Sequence, residues 1–178
     1  FKFCRRIKML VKYIQIENTQ KYVELLKPLW ITYVREIYEG DQEVEHSTDD
    51  EIANWLIGRV EIQGQRDTMH FELIFNNDIL VGFAMYAIDL GGIKEIIKAG
   101  YGYIMELYIM PNFRRKGIAS EVFIHIEDIL NNQGAQRIYL TPDSANAVLF
   151  WESVGFSDCG KIDPDNKMPI YLKDINKS

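Results

Sequence analysis

The chain has 178 residues, 47% hydrophobic and 26% charged, with net charge −6 and a sequence pI near 5.1. Those proportions suit one domain with a sizeable core and exclude a disordered or fibrous chain. The acidic balance argues against nucleic acid as the main partner and is compatible with a cationic one, and no apolar run approaches bilayer-spanning length, so no membrane partner is expected.

Cys4 and Cys159 form neither a metal-ligand pattern nor a disulfide framework, so a reducing, cytoplasmic compartment is expected. The opening FKFCRRIKML lacks the apolar segment and cleavage site of a secretory signal. Met9 precedes a clean strand pattern, so residues 1–8 read as an extension and residues 9–178 as a single domain.

VKYIQI, over 11–16, alternates apolar and polar residues as a strand does. Asn18 and Thr19 supply a helix start, and Tyr22, Leu25, Leu26, Leu29, Trp30, Tyr33, Val34 and Ile37 recur at helical spacing up to Gly40, with Pro28 expected to kink or divide the helix. EGDQEVEHSTDDE, over 39–51, reads as a solvated connector, and its lone His46 does not indicate a metal; no metal site is expected. Ser47 or Thr48 caps the next helix, whose buried side is Ile52, Trp55, Leu56, Ile57 and Val60, with Gly64 at its end. Trp30, Tyr33 and Trp55 read first as core residues, with stacking on a substrate as the alternative, the two roles being compatible.

Residues 69–75 and 79–88 form a hairpin across the turn residues NND, and LGGIKEIIKAG is a connector with some helical content. YGYIMELYI, from residue 101, is rich in aromatic and β-branched residues and reads as a buried strand ended by Pro111. After Arg114, Arg115 and Lys116, Gly117 opens a helix whose Ile118, Val122, Ile126 and Ile129 recur at four-residue spacing, up to a stop at Asn131, Asn132 and Gly134. RIYLTP is a further strand, Ser144 caps a helix through Trp151, Gly155 ends it, and strands from Phe156 and over 168–175 complete the chain. The order implies an α/β domain: a mixed sheet, antiparallel through the hairpin, with helices covering it.

The junction at Gly117 carries chemistry. The first amides of a helix lack intrahelical partners and sit at the positive end of its dipole, so a glycine turn beside three cations can cradle a phosphate; the alternative is an ordinary turn with solvated cations. RRKGIA resembles the R/Q-x-x-G-x-G/A phosphate loop of the GNAT superfamily of acyl-CoA-dependent N-acetyltransferases, and MELYIMP resembles that family's central strand. SANAVLFWESVGF is similar to the family's N-x-x-A-x-x-F-Y-x-x-x-G-F block, with Ala147, Phe150, Gly155 and Phe156 in place but Ser144 and Trp151 where Asn and Tyr are usual. The resemblance covers about residues 69–172.

It implies a single-domain GNAT-like fold whose central strands splay apart, with acetyl-CoA as cosubstrate. Its pantetheine would lie along Leu107, Tyr108 and Ile109, its diphosphate on the loop of Arg114, Arg115, Lys116, Gly117, Ile118 and Ala119, with Asn146, Phe150 and Trp151 lining the slot. The first two helices and the acidic loop between them would wall the acceptor site, where the loop, in the alternative to a solvated connector, is an acidic rim that could attract a cationic amine. Glu106, a carboxylate in an otherwise apolar strand, is the candidate base, its alternative being a structural ion pair or a solvent-facing bulge. Trp151 cannot release a proton to a thiolate as Tyr does, which leaves water or a hydroxyl such as Tyr108 or Tyr139 for that role. The expected activity is acetyl transfer to a primary amine of a small cationic metabolite, antibiotic or peptide; the opposing expectation is a non-catalytic acyl-CoA-binding regulatory module. Aromatics of the C-terminal strands read either as a homodimer contact or as part of the chain's own core.

Overall fold

A computed structural model describes residues 10–17, 20–62 and 66–175. The extension over 1–8, the helix start at Asn18 and Thr19, and the stop at Gly64 lie outside the described residues. β1 (Val11–Gln15) leads into α1 (Gln20–Ile37), α2 (Gln42–His46) and α3 (Asp49–Ile62); the hairpin β2 (Met69–Asn76) and β3 (Ile79–Asp89) follows. Then come β4 (Tyr101–Ile109), a 3₁₀ turn (Pro111–Phe113), α4 (Ile118–Asn132), β5 (Arg137–Leu140), α5 (Ala145–Ser153), β6 (Ser157–Ile162) and β7 (Pro169–Asp174). The seven strands make one mixed sheet in the order β1-β2-β3-β4-β5-β7-β6.

Side-chain alternation in β2 and β3 divides the core between the two sheet faces. Phe71, Leu73, Phe83 and Met85 meet Leu26, Leu29, Trp30 and Tyr33 of α1 and Ile52, Leu56 and Val60 of α3. Ile74, Val81, Ala84 and Tyr86 meet Val122, Phe123, Ile126 and Leu130 of α4, with Trp151 of α5. Ile170 and Tyr171 of β7 are buried within the chain's own core.

Local chemistry sets the element ends. Asn77 and Asp78 both take positive φ, as a two-residue hairpin turn requires, with Asn76 opposite Ile79. Thr48 and Glu51 form a capping box: the Thr48 hydroxyl accepts from the Glu51 amide at 3.3 Å, and the Glu51 carboxylate accepts from the Thr48 amide at 2.7 Å.

Four expectations need correction. α1 is not divided at Pro28; one helix of 18 residues passes through it, and tertiary packing of its buried stripe outweighs the lost amide. The acidic connector holds α2, capped by Asp41, whose carboxylate accepts from the amides of Glu43 and Val44. Trp55 and Ile57 of α3 are 40% and 42% exposed, because Ile52, Leu56 and Val60 already form the four-residue face turned to the sheet. The segment after β3 forms no helix: Asp89 accepts from the amides of Gly91 and Gly92, and an Ile93–Ile97 bridge closes the loop with Glu95 at positive φ.

Two features of β4 position the site. It pairs with β3 along its length, but with β5 only at Gly102↔Ile138 and Tyr103↔Tyr139, after which these parallel strands diverge. The splay implied by the family resemblance is present. Opposite β3, the register jumps from Tyr86↔Ile104 to Met85↔Glu106, so Met105 is an inserted bulge residue. Ile104 packs on the α4 side, and strict alternation would return Glu106 there as well; the extra residue sends Glu106 to the α1 side.

The close fit of β3 and β4 is testable at Gly82, where an added Cβ would lie 2.0 Å from the Tyr108 carbonyl oxygen. Gly82→Val should therefore destabilise the protein by about 3 kcal/mol or more in urea unfolding, since the obstruction is backbone rather than a movable side chain. A midpoint equal to wild type would contradict this packing.

Candidate active site

Two cavities lie against β4 and the C-terminal half of α1. The larger, about 810 Å³, is lined by Leu107, Tyr108 and Ile109 of β4, by Phe113, Arg114, Arg115, Gly117, Ala119 and Ser120, by Asp143, Ser144, Asn146, Ala147, Phe150 and Trp151, and by Glu36, Ile37 and Glu39. Ten of the residues expected to bind the cosubstrate thus share one cleft. Lys116 and Ile118 do not line it: the Lys116 ammonium donates to the Asn112 carbonyl at 2.8 Å and lies over the Phe113 ring, while the Ile118 side chain is in the core.

The turn that opens α4 has an uncommon backbone. Arg115 has φ 61° and Gly117 φ 83°, so alternate residues are left-handed, a pattern in which backbone amides can form a concavity. Gly117 is the N-cap of α4, and no side chain caps that helix. The cations beside this concavity differ in their commitments. Both terminal nitrogens of Arg114 donate to Glu36 of α1, at 2.6 and 2.9 Å, and its Nε donates to the Ile109 carbonyl at 2.7 Å. Arg114 therefore ties α1 to the end of β4, and Arg115 is the loop cation lining the cleft without such a tie among the described residues.

The same carboxylate engages Tyr108, whose hydroxyl donates to Glu36 at 2.8 Å. Burial first, then Glu36, raises the Tyr108 phenol well above the ordinary phenol range, so this hydroxyl is a poor source of a proton. Burial alone would raise Glu36, but the hydrogen bonds from Arg114 and Tyr108 and the Arg114 charge reverse this and hold it below the usual carboxylate range. Tyr139 stacks on Tyr103 and donates to Asp89 at 2.7 Å, lining neither cavity. The Trp151 indole packs edge-on against Phe123, Phe150 and Phe156 with centroids 4.8–5.9 Å apart.

The smaller cavity, about 240 Å³, is lined by Trp30, Tyr33, Val34 and Tyr38 of α1 and its end, by Asp41, Glu43 and Val44, by Trp55 and Arg59 of α3, and by Glu106. The bulge at Met105 is what brings Glu106 to this wall, one residue before the cleft-lining Leu107. Burial raises the Glu106 carboxyl above its ordinary value, and Asp143 adds to this; a hydrogen bond from the Tyr33 hydroxyl and the charge of Arg59 act in the opposite sense. The site roles of Tyr33, Arg59 and Glu36 escape a sequence reading that takes Tyr33 first as core. The available signal is Glu36 itself, a carboxylate at the edge of an apolar helical stripe and three residues after Tyr33. Among the described residues no group of three or more His, Cys, Asp or Glu side chains is arranged to hold a metal ion.

A mixed sheet opened between β4 and β5, with a glycine-started helix at the opening, defines an acyltransferase architecture. The acetyltransferase (GNAT) family profile matches residues 31–156, and the chain belongs to that family. No curated protein sequence matches the chain. Among solved structures, PaiA N-acetyltransferase from Thermoplasma acidophilum in complex with coenzyme A is 18% identical, with TM-score 0.65 over 93% of this chain and 99% of that one. PH1933 from Pyrococcus horikoshii is 22% identical, with TM-score 0.68 over 94% and 100%. The aminoglycoside N-acetyltransferase AAC(6')-Iy in complex with CoA is 14% identical, with TM-score 0.62 over 87% and 93%.

The Glu36 arrangement predicts a pH dependence. A carboxyl held below its unfolded value contributes stability that is present above the unfolded value and lost as pH falls through the folded one. Glu36→Gln should therefore lower the melting temperature at pH 7, and the gap to wild type should close as the medium is acidified through and below the ordinary carboxylate range. A gap that stays constant with pH in thermal melts would show that the carboxylate charge is not what stabilises.

Proposed function

We propose that the chain is an acetyl-CoA-dependent N-acetyltransferase acting on a primary amine of a small cationic metabolite or antibiotic, or of a peptide. The single observation that carries this reading is the placement of Glu106: a half-buried carboxylate on the wall of a cavity rich in acids and aromatic rings, adjacent in β4 to the first residue of the cleft. Three carboxylates, Asp41, Glu43 and Glu106, face one cation, Arg59, among the lining residues, and the rings of Trp30, Tyr33, Tyr38 and Trp55 can hold an ammonium group. A cavity of this volume suits a small amine or one extended amino group better than a folded surface.

The cleft suits the cosubstrate. Its volume, its concave amides and the β4 edge left free by β5 are what a nucleotide diphosphate on an extended amide-bearing arm requires. Acetyl-CoA supplies the acetyl group as a thioester. The residues then have separate tasks. The amides after Arg115 and the Arg115 charge receive the diphosphate, Phe150 and Trp151 pack beside the arm, and Glu106 takes the proton that the acceptor ammonium must lose, directly or through water. The phenol of Tyr108, committed to Glu36, braces the wall, and water returns a proton to the departing thiolate.

Two measurements test this. Gly117→Val forces a β-branched residue into a left-handed conformation and crowds the loop, so acetyl-CoA affinity by calorimetry should fall about tenfold or more; unchanged affinity in the folded variant removes the loop from the site. Coenzyme A release should be assayed against a panel of polyamines, aminoglycosides, amino acids and peptides. Glu106→Gln should lower turnover by roughly 10²–10⁴-fold on the accepted amine with acetyl-CoA affinity kept. Trp151→Tyr should keep or raise turnover. Tight acetyl-CoA binding by wild type without transfer to any member of the panel would favour the acyl-CoA-binding regulatory module.

A further inference from the structure

Tyr33 is buried on α1, and its ring is fixed on three sides, against Trp30, Phe83 and Tyr108 at centroid separations of 5.3, 5.1 and 5.2 Å. Its hydroxyl donates to Oε2 of Glu106, a contact between residues 73 apart in sequence. Among the described residues no hydrogen bond reaches Oε1 of the same carboxylate. A side chain needed only to fill this position would be Phe; the hydroxyl adds one directed donor and nothing else.

We propose that Tyr33 is a positioning residue for acetyl transfer, fastening one oxygen of Glu106 so that the carboxylate stays ionised and turns its other oxygen to the acceptor amine. This rests on the reading of Glu106 as the base. The ionisable groups around that carboxylate come from every neighbouring element: Tyr33 and Tyr38 from α1 and its end, Asp41 and Glu43 from α2, Arg59 from α3, Tyr103 from β4 itself and Asp143 from the turn after β5. Asp143 disfavours the ionised form, as burial does, whereas Tyr33 and Arg59 favour it, and Tyr33 is the one of these two that touches it by a hydrogen bond. Tyr33 is not itself the base. Burial first, then Glu106, holds its phenol protonated far above neutral pH, so its proton stays on the phenol and only the hydrogen bond is offered.

The sign of the effect follows. A donor to the charged form favours that form, so removing it raises the protonation midpoint of the carboxyl further. Tyr33→Phe retains the ring, and its folding is checked by its melting temperature. Carbon-13 NMR titration of the glutamate carboxyls, with Glu106 assigned by its absence in Glu106→Gln, should show the Glu106 midpoint moving up by about one pH unit in Tyr33→Phe. The acid limb of kcat/KM for the accepted amine should move up in parallel, and kcat on its plateau should fall several-fold, with acetyl-CoA affinity unchanged. An unmoved midpoint in the folded variant overturns the proposal, because a merely structural tyrosine would give that result. A moved midpoint together with full activity of Glu106→Gln overturns it differently: the hydrogen bond stands, but the base assignment on which its role depends is lost.

Discussion

The site depends on β4 having two unequal edges. Along one edge β3 satisfies its backbone as far as Ile109; along the other, β5 leaves after Tyr103. Backbone donors and acceptors on a sheet's interior strand must find partners, so an opening there has to be filled by a side chain, water or a ligand. Near its C-terminal end the chain supplies one answer itself: the Arg114 guanidinium takes the Ile109 carbonyl. Closer to Leu107 the edge faces the large cleft. The divergence is thus closed by the chain at one end and opens on the large cleft in the middle.

The bulge in the same strand makes the second cavity useful. An uninterrupted β4 would put Glu106 on the α4 side, against an apolar face built from Val122, Ile126 and Leu130, where an ionised carboxylate would have little to compensate its burial. One inserted residue turns it instead toward a tyrosine hydroxyl and an arginine charge. The carboxylate on the other face shows the contrast: Glu72 of β2 is buried beneath α4, but His125 meets it at 2.9 Å, and the stacked Tyr13 ring covers that pair. Glu72 is matched by its surroundings as a structural group; Glu106 is only partly matched, with one oxygen still open to a cavity.

Much of the fold was legible in the sequence because it is local. Period-two alternation marks the hairpin, four-residue spacing marks α4, and the turn chemistry of Asn77, Asp78 and Gly117 appears as residue type. The residues that share the cleft were named through the family resemblance, whose motifs fall in two contiguous blocks, Leu107 to Ala119 and Asn146 to Trp151. What local patterns could not show is pairing at a distance: Tyr33 with Glu106, and Glu36 with both Tyr108 and Arg114, span 72 to 78 residues. The bulge escaped because a single inserted residue leaves composition unchanged, and α2 because its Asp41 cap lies within a run of charges that otherwise reads as solvated. Arg114 reads in sequence as one of three equivalent cations; only the fold separates it from Arg115.

α1 joins these parts. Tyr33 and Glu36 are three residues apart, so on a helix they lie on neighbouring turns of one face. From that face Tyr33 reaches the Glu106 carboxylate of the smaller cavity, while Glu36 reaches Arg114 and, on the wall of the larger cleft, Tyr108. The link is continuous along its length: the ring of Tyr33 is packed against Tyr108, whose hydroxyl is bound to Glu36, closing a circuit between α1 and β4. The larger cleft and the smaller cavity share this one helical face: the contacts of Glu36 with Tyr108 and Arg114 on the wall of one are joined, through the packing of Tyr33 on Tyr108, to the Glu106 wall of the other.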